Sequence, residues 1–290
     1  MQNPKMILLT SKIVKRIPLI ASIILIMAAC SMKEDDLAIR LPHSIKAGPD
    51  EEQARGIVFF DSNENRVMDE SEKGIAGVPV SNGTDLVHTN DQGEYEIPVS
   101  DDAIIFVIKP KDWMTPVNSD NLPQFYHLHK PNGYPANYTY KGVEPTGELP
   151  EKINFPLYES DGSNQFKMVV FGDPQPYNIE QVDFVAEDVV VELIGRDDLE
   201  FGMTMGDIVG DSLDLFSPLN QAVSMIGIPW YNVLGNHDIN YMAPNDKLSV
   251  ATYENVYGPA TYSFVYGDVH FIVVDDVIHE ARSGSWNYVG

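Results

Sequence analysis

Three short motifs carry the residues best able to do chemistry: Gly172-Asp173-Pro174-Gln175, Gly206-Asp207 and Gly235-Asn236-His237-Asp238. Each closes an apolar run with strand character. Asp207 follows Asp173 by 34 positions, and Asn236 follows Asp207 by 29. Ligands in α/β sheets gather outside the carboxyl ends of strands, so motifs far apart in sequence can converge there. Carboxylates and amides at such ends are binding groups, and an imidazole among them can donate a proton near neutral pH. A Gly-Asp pair alone is a weak signal. It recurs at Gly210-Asp211 and Gly267-Asp268, where a turn is sufficient explanation. The ordered series ending in Gly-Asn-His-Asp is far more specific.

The elements that must position these groups are legible around them. The strand before Asp173 leads into a stretch where Val182, Val185, Ala186, Val189, Val190, Leu193 and Ile194 recur at three- and four-residue intervals, an amphipathic helix. Asn178 suits its N-cap and Gly195 its stop. A second strand ends at Asp207, a second helical stretch follows near residues 213–226, and a third strand ends at the Gly-Asn-His-Asp motif. This alternation predicts βαβ units and a mixed sheet. Two further strands are expected to meet at Gly267-Asp268. Between residues 55 and 110, short β-rich runs separated by turn residues predict a small β-sandwich. Residues 111–158, rich in Pro, Tyr, Asn and Gly, read as an ordered, loop-rich extension.

From about Phe166 onward the motif set resembles the calcineurin-like metallophosphoesterase superfamily, in the variant with Gln in the first motif. The resemblance implies that Asp173 and Gln175 bind a first metal and that Asp207 bridges two metals. Asn236 would bind the second metal, and His237 would act near the leaving-group oxygen. Two cations about 3.5–4 Å apart can clamp the attacking and leaving oxygens of a phosphate ester. Asp211 and Asp238 are either outer residues that orient the ligands or ordinary turn and cap residues. Gln175 either coordinates or hydrogen-bonds nearby backbone. As a ligand, its neutral amide oxygen favours Mn²⁺, Fe²⁺ or Mg²⁺ over Zn²⁺. The family supplies a further histidine and a Gly-His-x-His segment after these motifs, and neither is visible in this sequence. The expected fold is therefore two-domain: an all-β immunoglobulin-like sandwich, then a C-terminally incomplete α/β (αββα sandwich) metallophosphoesterase domain.

Residues 61–72 form an acidic twelve-residue stretch. Oxygen-bearing side chains fall at positions 1, 3, 5, 9 and 12 (Asp61, Asn63, Asn65, Asp69 and Glu72), with Val67 at the position that offers a backbone carbonyl. That spacing wraps Ca²⁺, although Arg66 stands where glycine normally allows the turn. With its flanking strands the stretch resembles the calcium-binding B-type repeats of bacterial surface proteins; the plainer reading is a solvated acidic turn. His43, His88, His127, His129, His270 and His279 read as surface or packed residues, and no third ligand lies near His127-Leu128-His129 in the sequence.

The first 29 residues carry Lys5, Lys12, Lys15 and Arg16, no acids, and an apolar run at 17–29, which describes a secretory signal. An uncleaved anchor is the alternative. Cys30 is the sole cysteine, so no disulfide forms within the chain. Its setting resembles the lipobox of bacterial lipoproteins, with Met27 where Leu is usual, and the acidic stretch after it resembles that of surface-displayed Bacteroidetes lipoproteins. The expected organisation is a signal at 1–29, a tether at 30–54, the β-domain with its extension at 55–158 and the α/β domain at 166–290. The net charge is −24, which argues against nucleic acid as a partner. Two functions are compatible with this pattern. One is a lipid-anchored, cell-envelope phosphomonoesterase or phosphodiesterase acting on a phosphorylated small molecule, with two divalent metals and a further Ca²⁺ in the β-domain. The other is a catalytically inactive cell-surface binding or structural module.

Overall fold

The computed structural model describes residues 5–10, 52–135, 139–160, 163–280 and 288–289. Strand β1 (Lys5–Thr10) is followed, from residue 53, by a run of short strands. These are β2 (Gln53–Phe60), β3 (Lys73–Gly74), β4 (Pro79–Ser81), β5 (Leu86–His88), β6 (Glu94–Pro98), β7 (Ala103–Val107), β8 (Trp113–Met114), β9 (Tyr126–His129) and β10 (Phe155–Glu159). They build two sheets. One runs β3-β2-β10-β8, with β6 also paired to β2; the other runs β5-β4-β7-β9. Val58, Ile97 and Leu157 of the first share a buried cluster with Val80, Ile105 and Phe106 of the second. Full burial of such side chains is worth about 1.5–3 kcal/mol each. The N-terminal region is thus β-rich, as its alternating sequence predicts.

A three-stranded parallel sheet begins after residue 167. β11 (Met168–Phe171), α1 (Ile179–Val185), β12 (Phe201–Met205), α2 (Phe216–Ser224) and β13 (Trp230–Val233) follow in turn, and the three strands lie side by side in chain order, all parallel. Then come α3 (Asp246–Ser249), α4 (Ala251–Tyr257), β14 (Tyr262–Tyr266) and β15 (Val269–Val274). The last two form an antiparallel hairpin turning at Gly267, whose φ is 54°. A short antiparallel pair, β16 (Ile278–His279) and β17 (Tyr288–Val289), ends the described elements.

Alternation along the parallel strands divides their neighbours. Phe201, Met203, Tyr231 and Val233 pack with Tyr262, Phe264 and Phe271 of the hairpin, and the Tyr231 and Phe264 rings stack at 4.0 Å. On the opposite face, Trp230 packs with Val182, Val190, Phe216, Leu219 and Tyr253 from the helices, its indole N–H donating to Thr204 Oγ1 at 2.9 Å. The β-rich region docks on the hairpin: Val265 N–H donates to Lys109 O at 2.8 Å, and the Phe125 and Tyr262 rings meet at 5.1 Å.

One local feature departs from the sequence reading and a second adds to it. Asn178 does cap α1, accepting from Gln181 N–H, but the helix widens to a π-helical turn at Ala186–Val190. The wider turn shifts the buried stripe, as π-bulges do. Val190 is buried, whereas Val189, Val191 and Ile194 face solvent. The second feature is β1: Lys5–Thr10, within the stretch that reads as a secretory signal, pairs in parallel along the whole of β15, Lys5 opposite Val269 through Thr10 opposite Val274. An apolar strand satisfies the unpaired backbone groups along that edge. Residues 11–51, including Cys30, lie outside the described residues. No helix among the described residues is long and apolar enough to cross a membrane.

Candidate functional site

Parallel register sends the ends of β11, β12 and β13 to the same side of the sheet, and all three sequence motifs sit there. Their loops interlock through the backbone. Gln175 N–H donates to Asp207 O at 3.1 Å, and Gly210 N–H donates to Pro176 O at 2.9 Å. His237 N–H donates to Asp207 Oδ1 at 3.1 Å. Gly235 is obligatory at the crossing point, since a Cβ there would lie 2.0 Å from Asp207 N and 2.3 Å from its Oδ1.

Asp173 (φ 48°), Gln175 (φ 46°), Asp207 (φ 45°) and Asp211 (φ 69°) all hold left-handed backbone. Such conformations cost on the order of 1–3 kcal/mol each for residues with a side chain, and they concentrate at functional sites. In this fold they are the acid- and amide-bearing positions of two loops that meet.

Asp238 lies beneath the site, with no solvent exposure. Its carboxylate accepts from Gly235 N–H at 2.8 Å, Ile208 N–H at 3.1 Å and Val209 N–H at 3.1 Å. Burial pushes it up to about 8, against the pull of those three N–H donors. It braces the loops that carry Asp207 and Asn236. Asp211 receives a 2.7 Å hydrogen bond from His237 Nδ1, which leaves Nε2 as the outward nitrogen of a ring only partly exposed. The sequence left both aspartates open between ligand-orienting and turn roles; each makes a specific contact that fixes its loop.

Can these residues hold divalent cations? Asp173, Gln175, Asp207 and Asn236 offer oxygen donors, suited to hard cations. Asn236 Nδ2 is buried without a hydrogen-bond partner, while Tyr241 O–H holds the Asn236 backbone oxygen at 2.6 Å. Asp173 is raised above the usual carboxylate range by burial and by the neighbouring charge of Asp207, with His237 opposing. Two mutually repelling carboxylates beside amides form a donor set that a cation would relieve, so the residues fit such a group.

Three tyrosines escaped the sequence reading. Tyr177 packs its ring against Gly210 and edge-on to His237, with centroids 6.3 Å apart. Tyr140 O–H donates to Asp211 O at 3.0 Å, reaching in from the loop-rich extension. Tyr241 is the third. Loop aromatics carry no periodicity, so only spatial proximity reveals them.

The calcium-like stretch closes on itself. Asp61 is buried and accepts from Asn65 N–H at 3.1 Å and Arg66 N–H at 2.7 Å. Glu72 accepts from Ser62 N–H at 2.8 Å and Asp69 N–H at 3.1 Å, and Asp69 accepts from the Asn63 and Asn65 amides. Arg66 takes φ 65° in place of glycine, its guanidinium reaching Val117 O. Val67 is exposed. All six positions therefore lie on one folded loop.

Comparison with known proteins bears on the β-rich region. Residues 61–144 match a family model described as the N terminal of Calcineurin-like phosphoesterase. No curated protein matches the chain. The matched stretch begins at the calcium-like loop and ends before β10, so it is independent of the motifs at Asp173, Asp207 and His237. The match supports the calcineurin-like phosphoesterase superfamily.

Proposed function

We propose that the chain is built as a metal-dependent hydrolase of phosphate esters, monoesters or diesters, with Asp173, Gln175, Asp207, Asn236 and His237 as its working residues. The observation that carries this reading is the convergence of the three strand-end loops on Asp207, which His237 N–H and the absent side chain of Gly235 lock in one position. The superfamily supported by residues 61–144 implies divalent metals. Bound to these residues, such cations would neutralise phosphate charge and lower the pKa of a bound water.

The chain's own groups divide the remaining work. Asp173 and Gln175 would hold the first cation and Asn236 the second, with Asp207 between them. The oxygen donors favour Mn²⁺, Fe²⁺ or Mg²⁺ over Zn²⁺. With both ring nitrogens protonated, His237 would deliver its Nε2 proton to the departing alcohol oxygen as the P–O bond breaks and water oxygen bonds to phosphorus, leaving a neutral ring whose Nδ1–H stays on Asp211. Asp211 holds the ring through Nδ1 and keeps Nε2 outward.

The wider organisation belongs to the same proposal. An immunoglobulin-like domain at 55–158 with Ca²⁺ at residues 61–72 would precede an α/β domain at 166–290. A lipid on Cys30 would attach the protein to the cell envelope, and a phosphorylated small molecule would be the substrate.

The test is hydrolysis of p-nitrophenyl phosphate and of its bis-ester with added Mn²⁺, comparing the parent with Asp207→Asn. Mn²⁺-dependent turnover that Asp207→Asn abolishes supports the hydrolase. Absence of turnover in the parent on both esters would reject it in favour of a binding or structural module.

A further inference from the structure

We infer that Glu52, Asp101 and His129 form a second divalent-cation site, in the β-rich region and separate from the loops around Asp207. Each offers one donor atom, and the three atoms lie within 4.8 Å of one another. His129 is 1% exposed, yet neither of its ring nitrogens has a hydrogen-bond partner. Its Nε2 faces Glu52 Oε2 at 3.9 Å. A buried polar atom left unpaired is costly, and a cation on Nε2 removes that cost.

The surroundings leave the two carboxylates available. Lys130 and Lys247, the nearby ammonium groups, both pair with Asp102, and Lys130 also pairs with Glu254 at 2.9 Å. Among the described residues, no Lys or Arg pairs with Glu52 or Asp101. Both are exposed, so an ion can enter from solvent, whereas His129 supplies the fixed inner donor.

Three separate segments supply the ligands. Glu52 directly precedes β2 and its carbonyl accepts from Val99 N–H at 2.9 Å. Asp101 lies two residues before β7, and His129 ends β9 opposite Ala103. A cation here would clip the start of β2 in one sheet to β7 and β9 of the other.

One imidazole nitrogen and two carboxylate oxygens suit Zn²⁺ or a similar first-row cation better than Ca²⁺, which takes oxygen ligands. Two negative charges balance the ion. Zn–ligand distances of about 2.0–2.1 Å place tetrahedral donors roughly 3.4 Å apart, so closure from separations of at most 4.8 Å asks the two exposed carboxylates to draw in toward His129.

The experiment titrates Zn²⁺ into chelator-stripped full-length protein, reading stoichiometry by equilibrium dialysis and thermal midpoint by melting. The parent, Glu52→Gln/Asp101→Asn and Asp207→Asn are compared, with Ca²⁺ run in parallel. The parent is expected to bind one equivalent more than the double variant. A Zn²⁺-dependent rise in midpoint should vanish in the double variant and survive in Asp207→Asn, without Ca²⁺ substituting at these residues. Equal Zn²⁺ stoichiometry in parent and double variant overturns the assignment and leaves only the 3.9 Å approach of Glu52 Oε2 to His129 Nε2. A midpoint rise of equal size in both does the same.

Discussion

His237 Nδ1 and Asp211 Oδ1 are 2.7 Å apart, although the two residues lie on loops after different strands. The carboxylate orients the ring by accepting from Nδ1–H and leaves Nε2 as the nitrogen available to a substrate. Asp211→Asn should therefore lower kcat by about 10–100-fold while leaving KM nearly unchanged, since outer partners of working groups contribute on that scale. His237→Ala should cost more, about 10²–10⁴-fold, as loss of general acid catalysis does. Steady-state kinetics on p-nitrophenyl phosphate with Mn²⁺ measures both. A matching rise in KM for Asp211→Asn would mean that it acts on binding instead.

Lys109 gives a pH signature. It is 3% exposed, its ammonium donating to Trp113 O at 2.7 Å and Val265 O at 2.6 Å. Burial lowers it from the usual 10.5 to about 7. The unfolded chain thus binds this proton more tightly than the fold, so stability must rise with pH between about 7 and 10.5. Below 7 the penalty of the buried charge is complete; above 10.5 it is gone. Lys109→Met removes the dependence. Urea melts at pH 6, 7.5 and 9 should show the parent gaining on the variant as pH rises, by a few kcal/mol, at roughly 1.4 kcal/mol per pKa unit. A constant difference across the series would refute this.

The contrast between such residues explains what sequence alone reveals. Asp173, Asp207 and His237 were legible because each terminates an apolar run, and the termini of neighbouring parallel strands must meet. Asn178 was legible because capping is local. Val189 and Ile194 were misread because a 3.6-residue period cannot foresee the π-helical turn at Ala186–Val190. His129 read as an ordinary packed residue because its companions, Glu52 and Asp101, lie just before other strands, 77 and 28 positions away. Strand pairing, which sequence does not encode locally, brings them together. The partnership of β1 with β15 was hidden for the same reason.

The loop at residues 61–72 should report Ca²⁺ through stability. Asp61 and Glu72 anchor its two ends by accepting backbone N–H groups. Adding Ca²⁺ should raise the thermal midpoint of the parent, because a ligand that binds only the fold stabilises it by about 2.7 kcal/mol at one hundred times its Kd. Glu72→Gln, which removes a negative charge at the last loop position, should weaken that rise by at least half. Differential scanning calorimetry with and without Ca²⁺ decides. An unchanged parent midpoint would identify a solvated acidic turn.

Gly235→Ala is the sharpest probe of the Asp207 loop. Gly235 has φ −107°, a backbone that any residue adopts, so alanine brings no torsional strain. The whole effect must be steric: the new methyl would sit 2.0 Å from Asp207 N and 2.3 Å from Oδ1. Neither atom can yield alone. The amide belongs to the Asp207 backbone, and Oδ1 accepts from His237 N–H. Relief requires the two loops to part by about an ångström, and a displacement of that size can cost about 10²-fold in rate. The substitution should therefore reduce Mn²⁺-dependent ester hydrolysis by about that factor. Far-ultraviolet circular dichroism should stay unchanged, since β13 ends before Gly235 and its pairing with β12 is untouched. Full activity in Gly235→Ala would show that the Asp207–His237 contact does not set the geometry of the reaction.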